Sequence, residues 1–250
     1  MHDPARRRHA LDLIDSGLSD AQVASRMALP RTTVRDWRRA VDPPPRERCP
    51  RCWRPIRALG QDSADYAQLL GLYLGDGCIS VVGRVHSLRI SLDASYPAIV
   101  QDAHDLLVRC FPDNAVNRVR ADRDATVILC VYSVHLPCLL PQHGPGKKHL
   151  RSMALEPWQW DHVVAAPWMF LRGCLWSDGC SFINRTGPYE YLSFDFYNYS
   201  GDILDLFMAA CDLVGLHPRR YARRARLYRR DDVARLVENV GTKQRIEPLG

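Results

Sequence analysis

Two stretches of this 250-residue chain follow one unusual pattern: DYAQLLGLYLGDG at 65–77 and PWMFLRGCLWSDG at 167–179. Each reads as an apolar helix that ends on Asp-Gly. Gly71 and Gly75 are four residues apart and share a helix face, as do Gly173 and Ser177. Small residues at this spacing let two helix backbones approach closely. Helix C-termini carry partial negative charge, so a carboxylate is badly placed there. With the two helices side by side, Asp76 and Asp178 emerge together and repel unless a cation lies between them. A hard divalent ion with oxygen ligands meets that need, and magnesium is the first choice. Magnesium beside a basic, sheet-lined groove implies phosphodiester chemistry.

The two stretches head two copies of one unit. SLRISLD sends Leu88, Ile90 and Leu92 to one face and Ser87, Arg89, Ser91 and Asp93 to the other, the alternation of a half-buried strand. YLSFDFY does the same with Leu192, Phe194 and Phe196 against Tyr191, Ser193, Asp195 and Tyr197. A helix follows in each copy, PAIVQDAHDLLVRCF and GDILDLFMAACDLVGL, then more strands: AVNRVR with ATVILCVYS, and PRRYARRARLYRR. Each copy closes on a short helix and a glycine-lysine stretch, HGPGKKH and VGTKQR. The expected fold is α+β, with αββαββα in tandem.

Charge is unevenly placed. Residues 1–60 hold 13 Lys and Arg against 7 Asp and Glu, while the remaining residues hold 21 against 21, so the whole net charge of +6 sits in the first quarter. A local basic excess attracts polyanions. Within the neutral remainder, residues 219–230 still carry seven arginines and no acid.

The first forty residues read as three helices. Leu11, Ile14 and Leu18 give the first, closed by Gly17. Ser19 with Gln22 is a capping box that opens the second, whose inward residues are expected to be Ala21, Val23 or Ala24, and Met27. RTTVRDWRRA forms the third, with Val34, Trp37 and Ala40 inward and Arg31, Thr32, Thr33, Arg35, Arg38 and Arg39 outward. This order, with a basic and polar third helix, resembles a helix-turn-helix DNA reader; the alternative is a small bundle that binds protein. DPPPRERCPRCWRP at 42–55 cannot continue a helix and reads as a linker. Its Cys49 and Cys52 have the spacing of half a zinc site, but no second CxxC exists, so no zinc is assigned there.

The paired Asp-Gly stretches resemble the LAGLIDADG motifs of homing endonucleases, in the single-chain form with two repeats. LLGLYLGDG keeps both leucines, the first glycine and the terminal Asp-Gly; in LRGCLWSDG, Leu171, Gly173, Asp178 and Gly179 match while Arg172, Cys174 and Trp176 depart. The resemblance implies two motif helices at a pseudo-twofold axis and two saddle-shaped antiparallel sheets laid over the DNA major groove. It makes Asp76 and Asp178 ligands of divalent metal, magnesium by expectation. It also places a basic residue late in each repeat near the metal, here Lys147 (or Lys148) and Lys243. Strand arginines Arg84, Arg89, Arg118, Arg120, Arg185, Arg219, Arg223 and Arg226 become candidates for DNA contact. The expected domains are a helix-turn-helix module at 1–41, a linker at 42–62, and repeats at 63–149 and 150–250.

Two readings follow. One is a magnesium-dependent, site-specific double-strand DNA endonuclease acting as a monomer, since the pseudo-dimer lies within one chain. The other is a non-cleaving regulator that uses the same fold to bind DNA, which the attached N-terminal module favours. Both aspartates and both late lysines are present, which favours cleavage. No apolar run approaches a membrane span, and nine scattered cysteines suit reduced thiols in a cytoplasm rather than a disulfide framework.

Overall fold

The computed structural model describes residues 4–39, 49, 62–121 and 125–243. The chain divides into two compact units, residues 1–47 and 48–250. Most of the linker and Cys52 lie outside the described residues, so the possible zinc half-site has no structural account; Cys49 is buried. No helix among the described residues is long and apolar enough to cross a membrane.

The N-terminal unit is α1 (Pro4–Asp15), α2 (Asp20–Met27) and α3 (Arg31–Arg39). Its small core is Ala10, Val23, Ala24 and Val34, with Leu13, Ile14, Leu18, Met27, Leu29 and Trp37 against it. Two sequence expectations shift by a fraction of a turn: Ala10 and Leu13, not Leu11, complete the inward face of α1, and Ala21 is exposed while Val23 and Ala24 are both buried. The capping box is present, with the Ser19 amide donating to Gln22 Oε1 at 2.9 Å and the Gln22 amide to Ser19 Oγ at 3.4 Å. Ala40 lies outside the described residues.

The C-terminal unit runs α4 (Ser63–Asp76), β1 (Gly77–Val82), β2 (Val85–Asp93), α5 (Pro97–Cys110), β3 (Val116–Arg120), β4 (Thr126–Ser133), α6 (Leu136–Leu139), α7 (Pro157–Ala165), α8 (Pro167–Asp178), β5 (Gly179–Thr186), β6 (Tyr189–Tyr197), α9 (Gly201–Leu213), β7 (Arg219–Arg220), β8 (Arg224–Leu227) and α10 (Arg230–Val240). This is the tandem αββαββα order with one addition, α7. That helix lacked a clear apolar stripe, but its start is marked by Pro157 in the first turn and by Gln159 Oε1, which accepts the Glu156 amide at 3.0 Å. Each repeat forms a four-stranded antiparallel sheet, in the orders β1-β2-β4-β3 and β5-β6-β8-β7.

One hydrophobic core serves both repeats. Leu88, Ile90 and Leu92 from β2 and Val127, Leu129 and Val131 from β4 meet α4 and α5 there, as Phe194, Phe196, Ala225 and Leu227 meet α8 and α9. The polar strand faces are less open than alternation predicts: Ser87, Ser193 and Asp195 point away from the core yet are buried.

Helices α4 and α8 pack backbone to backbone. A Cβ on Gly71 would collide with the Phe170 carbonyl oxygen and lie 2.8 Å from the Cys174 nitrogen. A Cβ on Gly173 would collide with the Gln68 carbonyl oxygen and lie 2.8 Å from the Leu72 nitrogen. One turn on, Gly75 faces the Ser177 side chain. The glycine after each aspartate is equally constrained: a Cβ on Gly77 would sit 2.6 Å from Tyr73 Cα, and one on Gly179 2.6 Å from Leu175 Cα. Close approach therefore fixes the Asp-Gly ending.

Gly71→Ala is expected to destabilise the C-terminal unit by about 1–3 kcal/mol, because backbone atoms cannot yield to the added methyl. Gly201→Ala, at the open start of α9 with nothing within 4 Å of its Cβ position, is expected to stay within about 0.5 kcal/mol of wild type. Urea unfolding of both variants checks this.

Candidate metal centre and nucleic-acid interface

The pairing of α4 with α8 brings their C-terminal ends together. Asp76 ends α4 and Asp178 ends α8, and Asp178 Oδ2 lies 3.2 Å from the Cβ position of Gly75. Among the described residues, neither carboxylate forms an ion pair. The cations present bind the helix ends instead. Lys148 Nζ donates to the carbonyl oxygens of Tyr73, Leu74 and Gly75 at 2.5, 3.0 and 2.7 Å. Lys243 Nζ donates to the Ser177 carbonyl oxygen at 2.9 Å. The ammonium groups thus satisfy the Leu74, Gly75 and Ser177 carbonyls that the helix ends leave open, while the Tyr73 carbonyl also accepts the Gly77 amide.

Lys148, rather than Lys147, occupies this place. Lys147 is exposed and precedes the single 3-10 turn at Lys148–Leu150, which swings the next side chain under α4. A doubled lysine does not reveal which of its members the turn directs inward.

Electrostatics at the centre reflect burial. Desolvation, then the neighbouring Asp178 charge, pushes the Asp76 carboxyl up to about 7; Lys243 and Lys148 oppose the rise. Asp178 is also raised by burial, against an opposing hydrogen bond from Asn198 Nδ2 to its Oδ2 at 2.7 Å. Burial lowers Lys148 to about 8, with both aspartates resisting, and lowers Lys243 as well. Asn198 is a site neighbour that sequence reasoning missed, since nothing in a residue just past a strand signals what it reaches.

Two half-buried carboxylates at adjoining helix ends, both raised by burial, are oxygen donors of the kind a hard cation takes. No cluster of three or more His, Cys, Asp or Glu suited to a metal occurs among the described residues. Two carboxylates alone could hold an ion such as magnesium, which binds through one or two carboxylates and takes its other oxygens from water and phosphates. A dedicated protein cage for zinc or calcium is a worse match.

The sequence-predicted DNA contacts differ in freedom. On α3, Arg31, Thr32 and Arg35 are exposed, Thr33 is half-buried, and Arg38 pairs with Asp20 at 3.2 Å. In the C-terminal unit Arg84, Arg89, Arg118 and Arg120 are exposed. Arg219 and Arg223 are exposed too, over the Tyr221 and Tyr199 rings at 5.3 and 4.8 Å. Arg185 pairs with Glu190 at 2.8 Å. Arg226 is not a free cation: it is held by Asp195.

Residues 1–43 match the homeodomain-like domain family. No curated protein matches the chain. Among solved structures, I-DmoI in complex with DNA and Mn aligns at 15% identity over 74% of this chain and 99% of that chain, with a TM-score of 0.50. I-DmoI in complex with DNA and Ca aligns at 17% identity over 71% and 89%, again with a TM-score of 0.50. The N-terminal LAGLIDADG domain of DUF199/WhiA aligns at 17% identity over 76% and 86%, with a TM-score of 0.47. The C-terminal unit has the LAGLIDADG fold. The likeness to I-DmoI, at a TM-score of 0.50, shows the fold alone.

The raised aspartates give a stability signature. A carboxyl with a higher pKa folded than unfolded stabilises the fold at low pH and loses that contribution as pH rises from about 4 to about 7. In metal-free buffer, stability is therefore expected to fall across that window. Asp76→Asn is expected to flatten the fall and to exceed wild type at pH 7.5 by about 1–3 kcal/mol. Urea unfolding in chelator at pH 5 and pH 7.5 measures both.

Proposed function

We propose that the chain is a site-specific DNA-binding protein and a magnesium-dependent double-strand DNA endonuclease, its N-terminal unit adding affinity for duplex DNA. The observation that carries this reading is the meeting of Asp76 and Asp178 at paired helix ends, with Lys148 and Lys243 spent on main-chain carbonyls rather than on the carboxylates. A site so arranged leaves both carboxylates without an ion-pair partner among the described residues, open to a divalent cation. I-DmoI, whose structures include complexes with DNA and Mn or Ca, lends support.

In this reading Asp76 and Asp178 hold the divalent ions, and the backbones of α4 and α8 keep the two carboxylates in fixed register. When bound, such ions supply stabilisation of the attacking and leaving oxygens in phosphodiester hydrolysis. Lys148 and Lys243 place positive charge at the ends of α4 and α8 and stabilise charge that develops on the phosphate. Asn198 orients Asp178. The exposed arginines of the two sheets hold phosphates and base edges, and Arg31, Thr32 and Arg35 of α3 do so for the N-terminal unit.

The second reading, a regulator that binds without cutting, has the N-terminal homeodomain-like match in its favour. A randomised duplex library separates the two. Cutting that requires magnesium and disappears in Asp76→Asn/Asp178→Asn supports the endonuclease. Recovery of a bound site with no cutting, at like affinity for both proteins, establishes the regulator. If cutting is found, Lys148→Met is expected to slow it about 100-fold, whereas Lys147→Met leaves the rate within about twofold, because the Lys147 side chain is exposed.

A further inference from the structure

The two sheets differ sharply in the row of residues next to the paired aspartates. In the second sheet, strand register lines up Cys180, Asp195, Arg226 and Arg219 across β5, β6, β8 and β7. In the first, the equivalent row is Cys78, Arg89, Cys130 and Asn117. Position for position, Asp195 stands opposite Arg89 and Arg226 opposite Cys130. Both rows lie on the faces turned away from the core, two residues past Asp178 and Asp76.

Arg226 is held along one edge and over one face. Its Nε donates to Asp195 Oδ1 and its Nη2 to Asp195 Oδ2, both at 2.7 Å. The guanidinium lies over the Phe182 ring at 4.9 Å. The two side chains are only 23% and 11% exposed, and Arg224 adds a second cation 3.7 Å from Asp195. This clamp uses one edge of the guanidinium. Both hydrogens on Nη1 and one on Nη2 remain, and no acceptor takes them among the described residues. That remaining edge is a two-pronged donor of the kind that bonds O6 and N7 of guanine in the major groove.

Charge decides between base and phosphate. Asp195 offsets much of the charge of Arg226, even with Arg224 3.7 Å from the same carboxylate, so Arg226 is a weaker backbone anchor than an unpaired arginine. Arg219 and Arg223 pair with no carboxylate among the described residues and suit phosphates better. What the Asp195–Arg226 pair keeps is direction: a planar donor whose rotamer is fixed before DNA arrives.

We propose that Arg226, oriented by Asp195 and Phe182, reads a guanine in the half-site covered by the second sheet, close to the centre of the target, and that the first sheet has no counterpart. The inference rests on the DNA-binding reading above. It makes the two half-sites unequal near the centre, with Arg226 the specificity-determining residue and Asp195 its positioning residue.

Binding-site selection from randomised duplex DNA in chelator, at one fixed salt concentration, tests it with wild type, Arg226→Lys and Asp195→Asn, each checked by thermal unfolding. Wild type is expected to fix a guanine at one near-central position of one half-site. Arg226→Lys is expected to lose about tenfold of that discrimination while other positions hold. Asp195→Asn is expected to lose it as well, yet to bind unselected DNA more tightly, since a negative charge has been removed; a purely structural role would not produce that pair of effects. If Asp195→Asn fails to fold, Arg226→Lys decides alone. Uniform weakening at all positions, with a shallower salt dependence, would mean a phosphate contact and would overturn the proposal. So would an unchanged preference at every position in both variants. Failure of wild type to recover any site would instead overturn the DNA-binding reading itself.

Discussion

The structure depends on the contact between the backbones of α4 and α8. Gly71 and Gly173 leave no room for even one methyl group, and each looks at main-chain atoms of the other helix, not at side chains that could move aside. Everything near the candidate centre inherits its position from this contact. It sets which helix ends meet and aligns Asp76 with Asp178. Because each strand pair starts at the very next residue, Gly77 or Gly179, it also fixes where both sheets begin. A single core spanning the two repeats then locks the pair in place.

That contact creates an electrostatic problem, and the lysines solve half of it. Two helix ends with converging carbonyls are stabilised by the ammonium groups of Lys148 and Lys243. The carboxylates gain less: burial and mutual repulsion hold Asp76 up to about 7 despite both lysines. On the proposed reading, a small, hard cation beside the two carboxylates would relieve that repulsion.

The two halves are alike in backbone and unlike in chemistry. Asp178 accepts a hydrogen bond from Asn198, and no hydrogen bond to Asp76 occurs among the described residues. The row beyond them holds a clamped Asp195–Arg226 pair on one side and a free Arg89 beside a buried Cys130 on the other. One chain carrying both halves can vary them independently, which an assembly of two identical chains cannot.

Much of this was legible in the residues. Gly71, Gly75, Gly173 and Ser177 at four-residue spacing foretold the close helix pair, and the alternation in SLRISLD and YLSFDFY foretold the inward faces of β2 and β6. Small side chains and period-two patterns are local facts, so a sequence states them outright. The choice of Lys148 over Lys147, the hydrogen bond from Asn198, and the capture of Arg226 by Asp195 were not legible. Lys148 depends on a single 3-10 turn, and Asn198 on where a chain leaves a strand. Asp195 and Arg226 are 31 residues apart and meet only because antiparallel register makes them neighbours. By itself the sequence determined the repeat, most of its elements and the two carboxylates, because those follow from propensity, patterning and residue size. Which charges are free and which are spent was decided by tertiary structure alone, because an ion pair is a fact of distance, and distance across a sheet is set by register.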